Sequence, residues 1–175
     1  MYGSLKLASV KRSTPKMSAA LPALPMSETV MVRLIRITVA GMSDYFEPVL
    51  QKIGLTEFSF HVLCLLISEE DGRASPSELS ELVGTSRANM TRIIAQLEKE
   101  GLVRRQPDKR DARRYSVEIT KAGRKLNADT VPMMIQPLKR AFSDLTEEEF
   151  KLLDKLLRKT ILSFDKGAEE VDLQA

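Results

Sequence analysis

Residues 85–120, TSRANMTRIIAQLEKEGLVRRQPDKRDARRYSVEIT, change their hydrophobic period from about 3.6 to 2, and few folds accommodate that change. The first apolar residues recur every third or fourth position, which predicts a helix ending near residue 100. Thr85 or Ser86 offers an oxygen to its free N–H groups, and Gly101 favours the left-handed conformation that stops helices. The alternating residues that follow are Tyr115, Val117 and Ile119. The stretch therefore predicts a helix followed by a two-stranded hairpin, here called the wing.

One face of the predicted helix is apolar and the opposite face lacks carboxylates in its first three turns. At about 100° per residue, the apolar stripe consists of Met90, Ile93, Ile94 and Leu97. The opposite face carries Asn89, Arg92, Gln96 and Lys99, with Ala88 and Ala95 beside them. Amide and guanidinium groups can bond base edges in pairs, and alanines let the backbone approach a groove. The pattern favours contact with a DNA major groove.

The wing concentrates the positive charge of the chain. Residues 101–125 contain nine Lys or Arg and three acids, so their net charge is 9 − 3 = +6, whereas the whole chain carries +3. Such a local excess is typical of a surface that binds phosphates.

These residues together resemble the MarR family of winged-helix transcriptional regulators. The resemblance depends on GLTEFSFHVLCLL, SELVGTSRANMTRIIAQLEKEGLVRR and DKRDARRYSVEITKAGRKL, and it covers residues 33–162. The family's wing pattern Asp-x-Arg-Asp-x-Arg is present as Asp108, Arg110, Asp111 and Arg113. The resemblance implies a homodimer in which the first long helix and the C-terminal helix of both chains pair, and double-stranded DNA as the partner.

Fourteen residues are expected to contact DNA. Nine lie on or before the predicted helix that ends near residue 100, here called the recognition helix. They are Ser75, Ser77, Ser86, Arg87, Ala88, Asn89, Thr91, Arg92 and Gln96. Asn89 and Arg92 are expected to contact bases, whereas Ser75 and Ser77 lie at a predicted helix start, where free N–H groups favour phosphate. The wing contributes Lys109, Arg110, Asp111, Arg113 and Arg114. The resemblance implies that Arg113 enters the minor groove, that Asp111 orients it, and that the other three bind phosphates.

The expected fold is mainly α with a small two- or three-stranded β wing, divided into a winged helix-turn-helix and a helical dimerisation lobe. Residues 55–120 form the DNA-binding region, and residues 27–54 and 121–167 form the dimerisation region. A helix at 27–52, capped by Ser27, is apolar on more than one side, which favours a partner chain over a fully buried helix in a monomer. Residues 168–175 are a C-terminal tail.

The two ends of the chain give further expectations. Residues 1–26 are basic and contain three prolines, so we expect a loosely ordered extension, with a DNA-following basic arm as the alternative. Capping boxes are predicted at Ser75 and Thr146. Pro132 and Pro137 predict a kink or break in the helix that starts near Thr120.

No catalytic constellation is evident, so the chain is interpreted as a non-enzyme without cofactor or metal. His61 and Cys64 are its only His and Cys, and no carboxylate cluster accompanies them. Half a metal site, or a redox pair using Cys64, is an alternative to a core position. A single Cys fits a reducing cytosol, and no apolar run is long enough to span a membrane, which together predict a cytoplasmic protein.

The expected function is a DNA-binding regulator, most simply a repressor released by a small molecule. The resemblance implies phenolic or aromatic acids as common effectors. Residues that could line an effector pocket are Met42, Tyr45, Phe46 and His61. The alternatives are a winged-helix adaptor that binds protein instead of specific DNA, and a redox-responsive regulator that uses Cys64.

Overall fold

The computed structural model describes residues 2–107 and 115–172, which form a mainly helical chain with one small sheet. The helices are α1 (Tyr2–Ala20), α2 (Met26–Leu50), α3 (Glu57–Ser68), α4 (Pro76–Val83), α5 (Arg87–Lys99), α6 (Lys121–Ala141) and α7 (Glu147–Asp172). The strands are β1 (Arg73–Ala74), β2 (Val103–Pro107) and β3 (Tyr115–Ile119). A 3-10 turn, Gln51–Ile53, follows α2. The predicted fold class, mainly α with a small β wing, is confirmed.

The chain divides into two compact units at the middle of α6. Residues up to Met134 form the first unit and residues from Ile135 form the second. The first unit contains α1 to α5, the sheet and the start of α6. The second contains the end of α6 and all of α7.

The core of the first unit lies where α3, α4 and α5 pack against the sheet. Its most buried side chains include Leu63, Leu66, Leu79, Met90, Ile94, Leu97 and Val117. Three members of the predicted stripe on α5, Met90, Ile94 and Leu97, are completely buried, and the fourth, Ile93, packs against the cluster from its edge. Burial of this stripe fixes which face of α5 points outward.

Three short-range caps set where the helices of this core begin. Thr56 and Ser75 each form a capping box, and the Ser75 Oγ accepts from the Glu78 N–H at 3.2 Å while the Ser75 N–H donates to the Glu78 carboxylate at 2.8 Å. Ser86 caps α5 by accepting from the Asn89 N–H at 3.2 Å. These bonds satisfy N–H groups that have no partner within the helix.

The sheet has the order β1-β3-β2 and is antiparallel throughout. Val103 pairs with Ile119 and Pro107 pairs with Tyr115, so the two long strands form the predicted wing hairpin. β1 adds a third strand by pairing Arg73 with Glu118. Gly101 has φ 71°, and its left-handed conformation turns the chain from α5 into β2.

The expectation that residues 1–26 are loosely ordered is wrong for Tyr2–Ala20, which is helical. This helix packs on α2, where Val10 is 6% exposed and the Arg33 Nη2 donates to the Ser13 Oγ at 2.9 Å. The helix has only a weak apolar stripe, so the sequence pattern does not reveal it. Packing on a neighbouring helix supplies the stability that local propensity lacks.

Two further expectations about helix ends and breaks are corrected. Ser27 is not the cap of α2, because the helix begins at Met26 after Pro25 and no side-chain cap bond forms. The expected break in α6 is wrong, since Lys121–Ala141 is one helix that contains both Pro132 and Pro137. Thr130 and Met134 are buried on its face, and this packing offsets the hydrogen bonds that proline removes.

Apolar side chains remain exposed on α2 and α7. They include Met31, Val39, Leu152, Leu156, Ile161 and Phe164, each at least half exposed. Within residues 2–107 and 115–172, no single helix is long and apolar enough to cross a membrane. The pair Met26–Ile53 and Glu57–Ser68 passes that test only when combined, by length and composition, and it is bent by 73°.

Candidate nucleic-acid interface

The helices α4 and α5 form a helix-turn-helix whose second helix presents its outer face to solvent. Gly84, with φ 70°, ends α4 and begins the short turn that leads to Ser86. The exposed residues of α5 that were expected to contact DNA are Arg87, Ala88, Thr91, Arg92 and Gln96. Because their helix is anchored on the core by the opposite face, the structure brings these predicted residues onto one surface.

Asn89 and Gln96 are less free than the sequence suggested. Asn89 is half-buried, and its Nδ2 donates to the Thr85 Oγ1 at 2.9 Å. The Gln96 amide donates to the Glu100 carboxylate one turn further along. The Thr85 contact was missed, although the i, i+4 spacing of a hydroxyl and an amide was a visible signal. Arg92 is therefore the exposed base-contacting candidate with no partner side chain among the described residues.

A recess of about 350 Å³ lies beside Arg92, between α5 and the start of α3. Its apolar lining residues are Ile93 and Leu97. The other lining residues are Gly54, Thr56, Ser59, Arg92, Gln96 and Glu100. The recess joins the outer face of α5 to the first turn of α3, so a molecule bound there would contact two residues expected to bind DNA.

Ser75 and Ser77 occupy the start of α4 as predicted, but they differ in availability. The Ser75 Oγ is used by the capping box, whereas Ser77 is exposed in the first turn. The Ser77 carbonyl accepts from the Ser80 Oγ at 2.8 Å. Pro76 has no N–H and the Glu78 N–H is used by the capping box, so Ser77 carries what this turn can offer to a phosphate.

The base of the wing holds its arginines in ion pairs. Arg104 donates twice to the Glu118 carboxylate, at 2.8 and 3.0 Å, and Arg73 reaches the same group at 3.2 Å. Arg105 pairs with Glu98 at 3.2 Å and lies 5.0 Å from the Tyr115 ring centroid. Part of the +6 charge of this segment therefore has a structural role. The predicted wing-tip contacts, Lys109, Arg110, Asp111, Arg113 and Arg114, lie outside the described residues.

Glu118→Gln is expected to change how stability depends on pH. The Arg104 guanidinium, through its hydrogen bonds and charge, lowers the pKa of Glu118 to about 2 from an ordinary 4.5. A depressed pKa means that the carboxylate stabilises the fold fully above about pH 4.5 and loses that contribution as the pH falls toward 2. We expect the glutamine variant to lose this part of the acid dependence, measured as unfolding free energy between pH 5 and 2.

The exposed residue Glu81 provides a control for that experiment, because Glu81→Gln removes the same charge from α4 without touching the wing. An acid-unfolding curve for Glu118→Gln that superimposes on the wild-type curve would contradict a stabilising role for the ion pairs.

Gly123 joins the wing to α6 and was not identified from the sequence. A Cβ at this position would lie 2.2 Å from the Leu102 carbonyl oxygen and 2.9 Å from Ile119 Cγ1. Thr120 stabilises the same junction, because its N–H donates to the Leu102 oxygen at 3.0 Å and its Oγ1 donates to the Gly101 oxygen at 2.7 Å. The only sequence signal was a glycine in the first turn of a predicted helix, which local pattern alone does not explain.

The four expected effector residues differ in their exposure. Phe46 is 3% exposed and belongs to the hydrophobic core. Met42 packs against that core from outside, Tyr45 contacts Phe46 edge-on with ring centroids 5.1 Å apart, and His61 is exposed. Phe46 is buried because it lies on the side of α2 that packs against α3.

The surroundings of Cys64 do not favour redox chemistry. Its Sγ donates to the Asn127 Oδ1 at 3.4 Å, and Asn127 is itself buried. Burial raises the pKa of the Cys64 thiol, which lowers its reactive thiolate fraction. Across residues 2–107 and 115–172, no group of three or more His, Cys, Asp or Glu is placed to hold a metal ion.

Known proteins are similar to this chain both in sequence and in fold. The MarR family model matches residues 55–115. The transcriptional repressor MprA of Escherichia coli (strain K12) is 30% identical over 146 residues, covering 83% of this chain and 83% of MprA. Sco3205, a MarR family transcriptional regulator from Streptomyces coelicolor solved in complex with DNA, superposes with a TM-score of 0.72 at 25% identity, covering 79% of this chain and 88% of Sco3205.

A third similar structure is BpsR of Bordetella bronchiseptica, described for the regulation of its DNA binding by 6-hydroxynicotinic acid. It has a TM-score of 0.68 and 25% identity, covering 74% of this chain and 97% of BpsR. The helix-turn-helix, the wing hairpin and these similarities agree. The chain therefore belongs to the MarR family, and it is a DNA-binding transcriptional regulator rather than an enzyme.

Proposed function

We propose that the protein is a repressor that binds a pseudo-palindromic operator as a homodimer and leaves it when a small-molecule effector binds. The observation that carries this proposal is the outer face of α5, where Arg92 is exposed and the first three turns hold no carboxylate. The name of MprA supports repression, and the DNA complex of Sco3205 supports a duplex as the partner.

On this proposal, α5 enters the major groove and Arg92 forms the principal base contact. Ala88, Thr91, Asn89 and Gln96 flank it, and Ser75, Ser77, Ser86 and Arg87 bind the backbone or outer bases. The wing tip follows the adjacent minor groove through Arg113, with Asp111 orienting it and Lys109, Arg110 and Arg114 on phosphates. A guanidinium in a narrow minor groove responds to groove shape rather than to base identity.

Dimerisation is proposed through residues 27–54 and 121–167, whereas residues 55–120 bind DNA. The exposed apolar residues of α2 and α7 support this division, because a large uncovered apolar surface is typical of an interface. Two recognition helices about 34–36 Å apart would then enter successive major grooves. Residues 1–26 form an extension whose helix α1 packs on α2, and residues 168–175 form a tail.

The effector is proposed to be an aromatic or phenolic acid, and the protein is proposed to act in the cytoplasm. BpsR, whose DNA binding is regulated by 6-hydroxynicotinic acid, supports this chemistry. Met42, Tyr45, Phe46 and His61 are the candidate contacts on α2 and α3. The recess beside Arg92 is a second place where a bound acid would interfere with DNA. An effector that prefers a conformation unable to bind DNA releases the operator by population shift.

Selection of duplexes from a random pool by the purified protein tests the operator proposal. We expect an inverted repeat with half-sites about one helical turn apart. Affinity for the selected duplex should fall steeply with salt, with a slope of about −0.9 per phosphate neutralised. The measurement is the equilibrium dissociation constant of the selected duplex between low and physiological salt.

Enrichment of a single half-site would contradict the homodimer, and a pool without any enriched motif would contradict specific recognition. The second result would instead favour the adaptor alternative, in which the winged helix binds another protein. A scrambled duplex of equal length and base composition is the control, because it retains the phosphate contacts and loses only the base sequence.

A further inference from the structure

A cavity of about 300 Å³ lies between α1 and α2, and no residue of α5 is among its lining residues. It is lined by Lys6, Ser9, Val10, Arg33, Arg36 and Ile37. The residues from α1 are spaced by three and four positions, and so are those from α2, so each set occupies one helix face. The cavity therefore lies where one face of α1 packs against one face of α2.

Three of the six lining side chains are cations, and none is an acid. Within the described ranges, no carboxylate forms an ion pair with Arg33 or Arg36. Uncompensated guanidinium groups beside each other are electrostatically unfavourable, and an anion placed between them would relieve that repulsion.

Arg33 is held in one position and still offers a donor. Its Nη2 donates to the Ser13 Oγ at 2.9 Å, and Ser13 is fixed in turn by donating to the Ser9 carbonyl at 2.8 Å. The Arg33 Nη1 is buried and has no hydrogen-bond partner among the described residues. A buried donor without an acceptor costs free energy, so the Arg33 guanidinium has donor capacity that contacts within the described chain do not use.

We propose that this cavity binds a small organic anion whose oxyanion head is held by Arg33 and Arg36. The planar guanidinium of Arg33 matches the geometry of a carboxylate or a phosphate. Ser9 adds a hydroxyl, and Val10 and Ile37 provide an aliphatic wall for a short carbon chain. The volume is at the small end of ligand sites, which fits a ligand of a few carbon atoms.

A bound anion would also tie the N-terminal helix to α2. Lys6 and Ser9 belong to α1, whereas Arg33 and Arg36 belong to α2, so the ligand contacts both helices at once. A ligand that binds the folded protein but not the unfolded chain raises the unfolding temperature as the ligand concentration increases. The site can therefore be assayed by stability, without DNA, and its failure would leave the proposed operator function untouched.

The test uses the full-length protein and three probes: inorganic phosphate, butyrate and butyl phosphate, with 1-butanol as the uncharged control. We expect saturable binding of at least one anion by calorimetry, a matching rise in unfolding temperature, and no response to 1-butanol. Preference for butyrate points to an organic acid as the natural ligand, and preference for butyl phosphate points to a phosphorylated compound.

Arg33→Gln is expected to weaken the preferred anion about tenfold or more, because a charge-assisted hydrogen bond is lost. Arg36→Gln and Ser9→Ala should weaken it less, and they provide the test if Arg33→Gln lowers the helix content. The matched control is Arg12→Gln, which removes the same charge from an exposed position of α1 outside the cavity.

Equal affinities in the wild type, Arg33→Gln and Arg12→Gln would overturn the proposal, because the anions would then bind at a place other than this cavity. The absence of saturable binding in the wild-type protein would overturn it as well, and it is the result expected if acidic side chains of a second copy fill the cavity.

Discussion

Replacing Arg92 with alanine is expected to weaken operator binding by about 1–3 kcal/mol, which is about 5–150-fold. The same change should reduce the difference in affinity between the operator and a duplex altered at the contacted base pair. The physical reason is that Arg92 is exposed at the centre of the outer face of α5, and a guanidinium that donates twice to a guanine distinguishes it from the other bases. The measurement is the dissociation constant for a panel of single-base operator variants.

Lys99→Ala is the matched control for Arg92→Ala, because it removes a positive charge from the same face at the other end of the helix. If Lys99 contacts a phosphate, its loss would weaken the binding of all duplexes to a similar extent. It would also reduce the salt dependence of binding by about one phosphate. If Arg92→Ala also weakened every duplex equally, Arg92 would be a phosphate contact, and the base-contacting role would pass to another residue.

Gly123→Ala is expected to destabilise the protein by about 1–3 kcal/mol and to reduce DNA binding with it. The added Cβ would lie 2.2 Å from the Leu102 carbonyl oxygen, a backbone atom that cannot rotate away. That oxygen also accepts from Thr120, so relief of the clash would loosen the junction between the wing and α6. The free energy of unfolding in urea, at fixed protein concentration, measures the first effect.

Gly3→Ala is the control for Gly123→Ala, because it makes the same substitution in a helix where the new methyl group meets open space. Alanine has the higher helix propensity, so this variant should be neutral or more stable by up to about 1 kcal/mol. Comparable stability of the two variants would show that the wing junction adapts without cost, and that Gly123 does not constrain it.

The helix-turn-helix and the wing could be predicted because their signals are local. Ser75, Ser86 and Gly101 mark helix ends through bonds and backbone conformations that involve residues within one turn. The apolar stripe of α5 and the alternation in β3 then identify which face is buried. From the buried face, the exposed position of Arg92 follows by helix geometry alone.

Sequence spacing does not show which side chains of the candidate site are already bonded to other residues of the protein. Asn89 was expected to face the groove, but its amide is bonded to Thr85. Arg104 was counted as part of a phosphate-binding charge, but Glu118 holds it across the hairpin. The pairing register that opposes these two residues forms only when the strands align, so the net charge of the segment does not show which of its cations are already paired within the protein.

The sequence by itself determined the fold class, the family and the outer face of α5, because each depends on interactions within a few residues. Only the tertiary structure decided that residues 2–20 are helical, that α6 continues through two prolines, and that Phe46 belongs to the core. It also revealed Gly123 and the Arg33 cavity, both of which arise where distant segments meet. Packing between segments far apart in the chain outweighs local propensity at these positions, and one sequence does not show which segments will meet.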